Sequence, residues 1–395
     1  MKVATEQDDG AREAGNDRIA RRGSRRVHDP GPGKDPRRWL ALAVIAVSQL
    51  MIVLDASIVT IALPSAQHDL HISNANRLWA VTAYTLAFGG LLLLGGRIAD
   101  YLGRKRVFLV GLFGFAAASA IGGLAPNAAT LFAARALQGA FAAVMAPAAL
   151  SIISVTFTEA RERARAFGVY GAISGGGAAI GLIAGGLLTQ YASWRWCLLV
   201  NVPVAAMVMA AAIYVVNESR GAEGRQHYDI PGALTVTVGV VSLVYAFTRV
   251  GTDGWGSATT VAFLAASVIL LAAFAVIELR TAYPLLPLHV VLDRNRGGSY
   301  LTSLLIGMTL VAMFLFLTYY FQGTLHYSAL KSGFAFLPFS LGVIVGAAVA
   351  ARLLPRFGPR VLMVIGMIMA AVGLALLTQI GAHTGYLSHI LQRRS

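Results

Sequence analysis

From Trp39 almost to the end of the chain, apolar runs of near-constant length follow one another, each closed by a charge, a proline or a glycine. A helix that crosses a bilayer needs about 20 predominantly apolar residues, and in lipid the backbone must satisfy its own hydrogen bonds. Each run therefore predicts a transmembrane helix. Eleven emerge, over residues 39–63, 78–96, 107–124, 129–153, 166–188, 197–216, 231–247, 260–277, 300–320, 332–351 and 361–378. The expected fold class is an all-α polytopic membrane protein.

Composition agrees with the pattern. Hydrophobic residues make up 57% of the 395 positions and charged residues 13%, against about 25% charged in ordinary soluble domains. A net charge of +14 raises nucleic acid as a partner, but the charges form no face. Ten of the 32 lysines and arginines lie in the first 38 residues, and most others sit in the gaps between apolar runs. No nucleic-acid partner is expected. Residues 1–38 have no periodicity and read as a disordered basic tail, too long and too charged for an ordinary signal peptide. With that tail in the cytoplasm, fifteen basic residues fall in inner loops and only Arg77, Arg195, Arg249 and Lys331 in outer ones, which is the bias that orients membrane proteins. The single cysteine, Cys197, excludes an internal disulfide and has no metal-ligand spacing around it.

The chain also repeats itself. GGRIADYLGRKRVFLVG at 95–111 aligns with AARLLPRFGPRVLMVIG at 350–366, pairing Arg97 with Arg352, Gly103 with Gly358, Lys105 with Arg360 and Gly111 with Gly366 at one constant offset. The first copy joins spans two and three, the second spans ten and eleven. A six-helix half (39–217), two inserted helices with their loops (218–280) and three helices of a second half (281–395) account for the count.

The segment from Gly96 to Arg106 resembles the loop between helices 2 and 3 of the major facilitator superfamily. LDASIVTIALP at 54–64, LFAARALQGA at 131–140, SWRWCLLVNVP at 193–203 and YDIPGAL at 228–234 resemble, more narrowly, the 14-helix drug:proton antiporters. Together these motifs cover about residues 39–380. Two departures stand out. The family pattern Gly-Pro-x-x-Gly-Gly is here GLIAGG at 181–186, with Leu182 in the proline position, and an expected 6 + 2 + 6 helices is matched only as 6 + 2 + 3. The reading is thus of a chain truncated at its C-terminus.

Asp55 stands inside the first span, where an ionisable side chain costs about 2.5–3.5 kcal/mol on insertion scales. At 1.5 Å per residue it lies about 12 Å below the outer end of its helix, and Arg135 on span four about 9 Å below the same surface. A carboxylate at that depth can take a proton or a cation, and a neighbouring arginine competes for it; a static ion pair that fixes packing is the alternative. The resemblance implies a proton path through Arg135, with Gln138 lining the cavity beside it. Tyr84 is a candidate for the cavity wall, and Trp79, Tyr319 and Tyr320 for the cavity or for the aromatic belt of the interface. On span five, Gly171, Gly175, Gly177, Gly181, Gly185 and Gly186 predict close helix packing, which the resemblance directs toward the second half.

The resemblance implies proton-coupled multidrug efflux at the cell membrane by alternating access between the halves. Partners would be small lipophilic substrates, protons and the bilayer, with the oligomeric state open and a monomer sufficient. No cofactor and no enzyme activity are expected: the proton gradient drives transport, and no phosphate-cradling Gly-x-x-x-x-Gly-Lys-Ser/Thr is present. Gly96, Asp100, Gly103, Arg104 and Lys105 would form the gating loop, with Asp100 meeting the N-terminal end of a second-half helix beyond Ser395. A symporter or metabolite exporter on the same fold, or a non-transporting remnant, remain the alternatives.

Overall fold

The computed structural model describes residues 37–74, 76–219, 229–281, 284, 286 and 292–377. The tail at 1–36, the segment 220–228 and the end from 378 onward lie outside them. Six long helices form the first bundle: α1 (Arg38–Asp69), α2 (Trp79–Leu102), α3 (Arg104–Gly123), α4 (Ala128–Thr156), α5 (Ala160–Tyr191) and α6 (Trp196–Val215), the last entered through a short turn, Trp196–Leu199. A hairpin follows, α7 (Ile230–Asp253) and α8 (Ala258–Arg280). Then come α9 (Arg294–Tyr319), which passes into a π-helical turn at Tyr320–Thr324, α10 (Ala329–Ala335) and α11 (Leu337–Leu377).

Among the described residues, ten helices are long and apolar enough to cross a membrane. The predicted segments coincide with helices that run several residues further at one or both ends. Pro64, taken in the sequence as the end of span one, is instead carried inside α1; a proline is tolerated in a membrane helix because neighbours can satisfy the freed carbonyl. The segment 332–351 departs from expectation. It is divided between α10 and α11, and Pro338, which has no N–H to continue the α10 ladder, stands in the first turn of the new helix.

Local chemistry explains where several helices begin. Asn127 caps α4 by accepting from the Thr130 amide at 2.9 Å, Ser257 caps α8 through Thr260, and Ser328 caps α10 through Lys331. The YDIPGAL motif is a helix start of the same kind, with Asp229 accepting from the Gly232 amide at 2.8 Å and Pro231 in the first turn. The aligned repeat has a shared backbone as well. Gly103, between α2 and α3, has φ of 100°, and Gly358, which breaks α11, has φ of 72°, a conformation costly for any residue with a Cβ.

Small residues let the helices of the first bundle approach closely. A Cβ on Gly95 would lie 2.2 Å from the Ala143 carbonyl oxygen, and one on Gly139 would lie 2.2 Å from that of Tyr84, so α2 and α4 touch backbone to backbone. The inserted hairpin docks on this bundle. Thr237 Oγ1 donates to the Gly90 carbonyl at 2.7 Å, and Trp79 packs on Tyr245, which in turn packs on Phe263.

The two halves meet at the end of the bundle that holds the α1 C-terminus. There Tyr319 donates to Gln67, Gln322 donates to the Ile61 carbonyl, and Gln190 accepts from the Leu330 amide. Ile61, Leu182, Phe321 and Phe336 form a buried apolar plug beside them. Backbones nearly touch here too: a Cβ on Gly186 would meet the Ala329 carbonyl oxygen at 2.8 Å, and one on Gly333 the Leu182 carbonyl oxygen at 2.6 Å. Gly171 and Gly168 stand eleven and eighteen residues before Leu182 and Gly186, close to three and five turns at about 3.6 residues per turn. They therefore share the same face of α5, yet a Cβ on either would meet nothing within 4 Å among the described residues. The described contacts between the halves thus gather at the end that holds the α1 C-terminus.

Candidate functional site

Deep in the first bundle, residues of five helices gather around one buried ion pair. Asp55 on α1 accepts from Arg135 Nη1 on one oxygen, and on the other from Gln138 Nε2 at 2.9 Å and Asn201 Nδ2 at 2.8 Å. Arg135 Nη1 also donates to Gln138 Oε1 at 2.9 Å, and its Nε to the Ala80 carbonyl on α2 at 2.9 Å. Ser119 on α3 accepts from Gln138 at 2.6 Å. The guanidinium lies over the Tyr84 ring, 4.4 Å from its centroid. Asp55 is 0% and Arg135 1% exposed.

Two charges taken fully out of water are tolerated only when paired and when their remaining donors and acceptors are filled. Asp55 is filled on both oxygens. The Tyr84 hydroxyl is the exception, buried without a hydrogen-bond partner among the described residues. Neutralising Asp55 would leave Arg135 without its counter-charge in a dry interior. The guanidinium is also held by the Tyr84 face and the Ala80 carbonyl.

Sequence reasoning singled out Asp55, Arg135, Gln138 and Tyr84, and the fold brings all four together. It missed Asn201 and Ser119. Asn201 carried a readable signal, a polar amide within the apolar run of SWRWCLLVNVP. Ser119 carried none, because a serine in a membrane helix commonly satisfies its own backbone. The aromatic candidates divide: Trp79 packs on the inserted hairpin and Tyr319 under Arg77, 4.1 Å from the ring centroid, at the closed end. SWRW is chiefly a brace. Trp194 is buried and donates to Asp69, and Arg195 donates to Asp69 and to the Gly123 and Ala125 carbonyls at the end of α3.

The expected loop at 96–106 is helical on both sides of Gly103, since α2 runs to Leu102 and α3 starts at Arg104, and the turn is tied down by residues that the sequence did not point to. The Glu218 carboxylate accepts from the Lys105 amide at 3.1 Å and the Arg106 amide at 3.2 Å, capping α3. Lys105 Nζ donates to the Ile213 carbonyl at 2.7 Å in the last turn of α6, where the helix dipole favours a cation. The Arg104 amide donates to the Ser219 carbonyl. Gly103 has a second reason to be glycine: a Cβ would sit 2.7 Å from a Glu218 oxygen. Asp100 pairs with Arg104 at 3.3 Å, one turn on; the second-half helix it was expected to meet lies outside the described residues. Gly96 is not the tight residue either, since its Cβ would stand in ordinary contact, 3.6 Å from Pro147; Gly95 takes that role.

The glycines of α5 also divide by face. Gly177, Gly181 and Gly185 lie against α1, where a Cβ would meet Leu50, Ser57 and Ile58, and Gly186 lies against the second half. The stripe as a whole was expected to face the second half; three of its six glycines pack inside the first, because residues four apart return to one side of the helix. Gly171 faces open space, and the surroundings of Gly175 lie outside what is described. With Leu182 in place of proline, α5 is continuous through this region.

Known proteins give this arrangement a context. The chain is 54% identical over 363 residues to the puromycin resistance protein pur8 of Streptomyces alboniger, covering 91% of this chain and 72% of that protein. It is 40% identical to the cephamycin export protein CmcT of Amycolatopsis lactamdurans, over 87% of this chain and 72% of that one. The MFS-type transporter EfpA of Mycobacterium tuberculosis is 37% identical over 84% of this chain, which spans 62% of EfpA. Among solved structures, a POT family transporter in complex with a thioalcohol-conjugated peptide superposes with a TM-score of 0.60 at 14% identity, covering 87% of this chain and 77% of that one, a likeness of fold. Residues 45–391 match the Major Facilitator Superfamily as a whole, and the chain, a multi-span membrane protein of the transporter class, belongs to that family.

Proposed function

We propose that the protein exports lipophilic or cationic compounds across the cell membrane against inward proton flow, with its N-terminus in the cytoplasm. The observation that carries this reading is the sealed cluster of Asp55, Arg135, Gln138, Asn201 and Ser119. A lone packing bridge needs one partner per charge; here three donors from two other helices converge on a single carboxylate, whose protonation would weaken all of them together. In this scheme proton entry frees Arg135 toward Tyr84 and lets the first half tilt. The closed end at Tyr319, Gln322 and Leu330 is then the extracellular gate, and the open α5 face is the cytoplasmic entrance. The units 39–217, 218–280 and 281–395 act as a first half, an inserted hairpin and part of a second half. The loop from Gly96 to Lys105 acts as a hinge braced by Glu218. Two relatives carry resistance or export in their names, which supports the outward direction.

The uninterrupted α5 at Leu182 favours a second reading, symport on the same fold. The two differ in the direction in which a proton gradient drives substrate.

Asp55→Asn tests the coupling. Asparagine keeps one acceptor for Gln138 and Asn201 and cannot bind the proton, but it leaves Arg135 without its counter-charge, so it is paired with Asp55→Asn/Arg135→Leu; the double variant is expected to insert and fold, and gradient-driven dye accumulation in energised inverted vesicles is lost in both. Accumulation equal to that of the parent overturns the proposal.

A further inference from the structure

The internal repeat singles out Arg97 without giving it a role, and the exit from the inserted hairpin leads to it. Arg97 Nη2, near the C-terminal end of α2, donates to the Pro284 carbonyl at 2.6 Å. Two residues on, the Leu286 amide donates to Glu278 Oε2 at 3.0 Å, in the last turn of α8. The chain that leaves α8 is therefore folded back on its own helix and fastened to α2.

Both side chains stand where a bystander would not. An arginine near the end of a membrane helix ordinarily extends to water or headgroups, whereas Arg97 is partly buried against a backbone carbonyl 187 residues away in sequence. Glu278 lies two residues before the C-terminus of α8, where the helix dipole disfavours an anion, and is only 4% exposed. A carboxylate buried there costs free energy that its hydrogen bonds must offset.

These contacts complete a line of attachment along one helix. Trp79 at the start of α2 packs on Tyr245, the Gly90 carbonyl in its middle accepts from Thr237, and Arg97 near its end holds Pro284. The entry to the hairpin is tied to the turn that follows, through Glu218 on the Lys105 and Arg106 amides and Ser219 on the Arg104 amide. Entry and exit are thus both fixed to the first half.

Chain length gives the fastening a consequence. Residues 281–293 lie between α8 and α9 and could span about 45 Å fully extended. With Leu286 held, only residues 287–293 remain, and their reach is about 25 Å. We propose that Arg97 and Glu278 form a strap that makes the inserted hairpin part of the moving body of the first half, as far as Leu286, and limits how far the second half can separate from it at this end. For the movement that it limits, the strap rests on the export reading above.

Electron–electron double resonance on the full chain in lipid nanodiscs tests this, with spin labels on cysteines placed at the exposed Leu102, Leu279 and Leu301; native Cys197 is buried. The pair at Leu102 and Leu279 reads across the strap, and the pair at Leu279 and Leu301 across the remaining connector. In the parent the first distance is expected to be narrow and the same at acidic and alkaline pH, while the second shifts. Arg97→Leu should broaden the first distance and make it depend on pH, and Arg97→Lys, which keeps a donor, should restore it. Glu278→Leu, which removes the acceptor for Leu286, releases the strap independently and should broaden it as well. A first distance that shifts with pH in the parent, or that stays narrow in both leucine variants, overturns the strap. A second distance that stays fixed in the parent overturns the movement and the export reading with it, and the leucine variants then still decide whether the strap holds the hairpin.

Discussion

Asp55 and Arg135 show why a single intramembrane charge cannot be understood without its partner. Each is almost completely withheld from solvent, where an ion left alone is far costlier than a pair. Removing only the cation should therefore harm the fold more than removing both charges. Arg135→Leu is expected to destabilise the protein by about 3–5 kcal/mol, the usual cost of breaking a buried pair. Asp55→Asn combined with Arg135→Leu should recover most of that, because the asparagine oxygen still accepts from Gln138 and Asn201, and yet remain inactive in gradient-driven transport. Thermal unfolding of the purified variants checks this, and a double variant no more stable than Arg135→Leu contradicts it. Asp55 and Arg135 were legible in the sequence because charge in an apolar run is conspicuous. Ser119 was not, since its role depends on the Gln138 amide arriving from another helix.

Between helices, the decisive contacts are those of backbone against backbone. GGR at 95–97 offers two adjacent glycines, and sequence alone gives no reason to prefer one. Successive residues point about 100° apart on a helix, so only Gly95 faces the Ala143 carbonyl, 2.2 Å from where its Cβ would be. A backbone atom cannot swing aside as a side chain can. Gly95→Ala should force α2 and α4 apart and sharply reduce the yield of monodisperse protein in size-exclusion chromatography, while Gly96→Ala, with 3.6 Å to Pro147, should match the parent. Comparable yields for both variants would show that this helix pair yields more easily than the geometry implies. The same reasoning explains the α5 glycines, whose four-residue spacing announced close packing but not which neighbour would be packed against.

At the scale of the whole molecule, the described contacts between the halves gather at one end. Gln190 and Leu330 meet across the closed end, with the Leu330 amide 3.3 Å from the Gln190 side chain. Cysteines at these two positions, bridged by a short bis-thiol reagent, should hold that end shut and stop transport until the bridge is reduced; native Cys197 is buried and should not compete. Vesicles that transport at the parental rate with the bridge in place would show that this end does not open. The sequence by itself determined the helices, their membrane-spanning character, the internal repeat and the family resemblance, because each depends on residue type and spacing along one strand of chain. Gly103 and Gly358, paired by alignment, even share their positive φ. The structure decided what spacing cannot: that Glu218 braces the basic loop, that Asp100 pairs locally with Arg104, that Asn201 completes the Asp55 site, and that Leu182 plugs the closed end with Phe321 and Phe336. Apart from the local Asp100–Arg104 pair, each is a meeting of segments far apart in sequence, and in lipid such meetings are settled by close packing and polar pairing between helix faces, because an apolar face is as well solvated by lipid tails as by another helix.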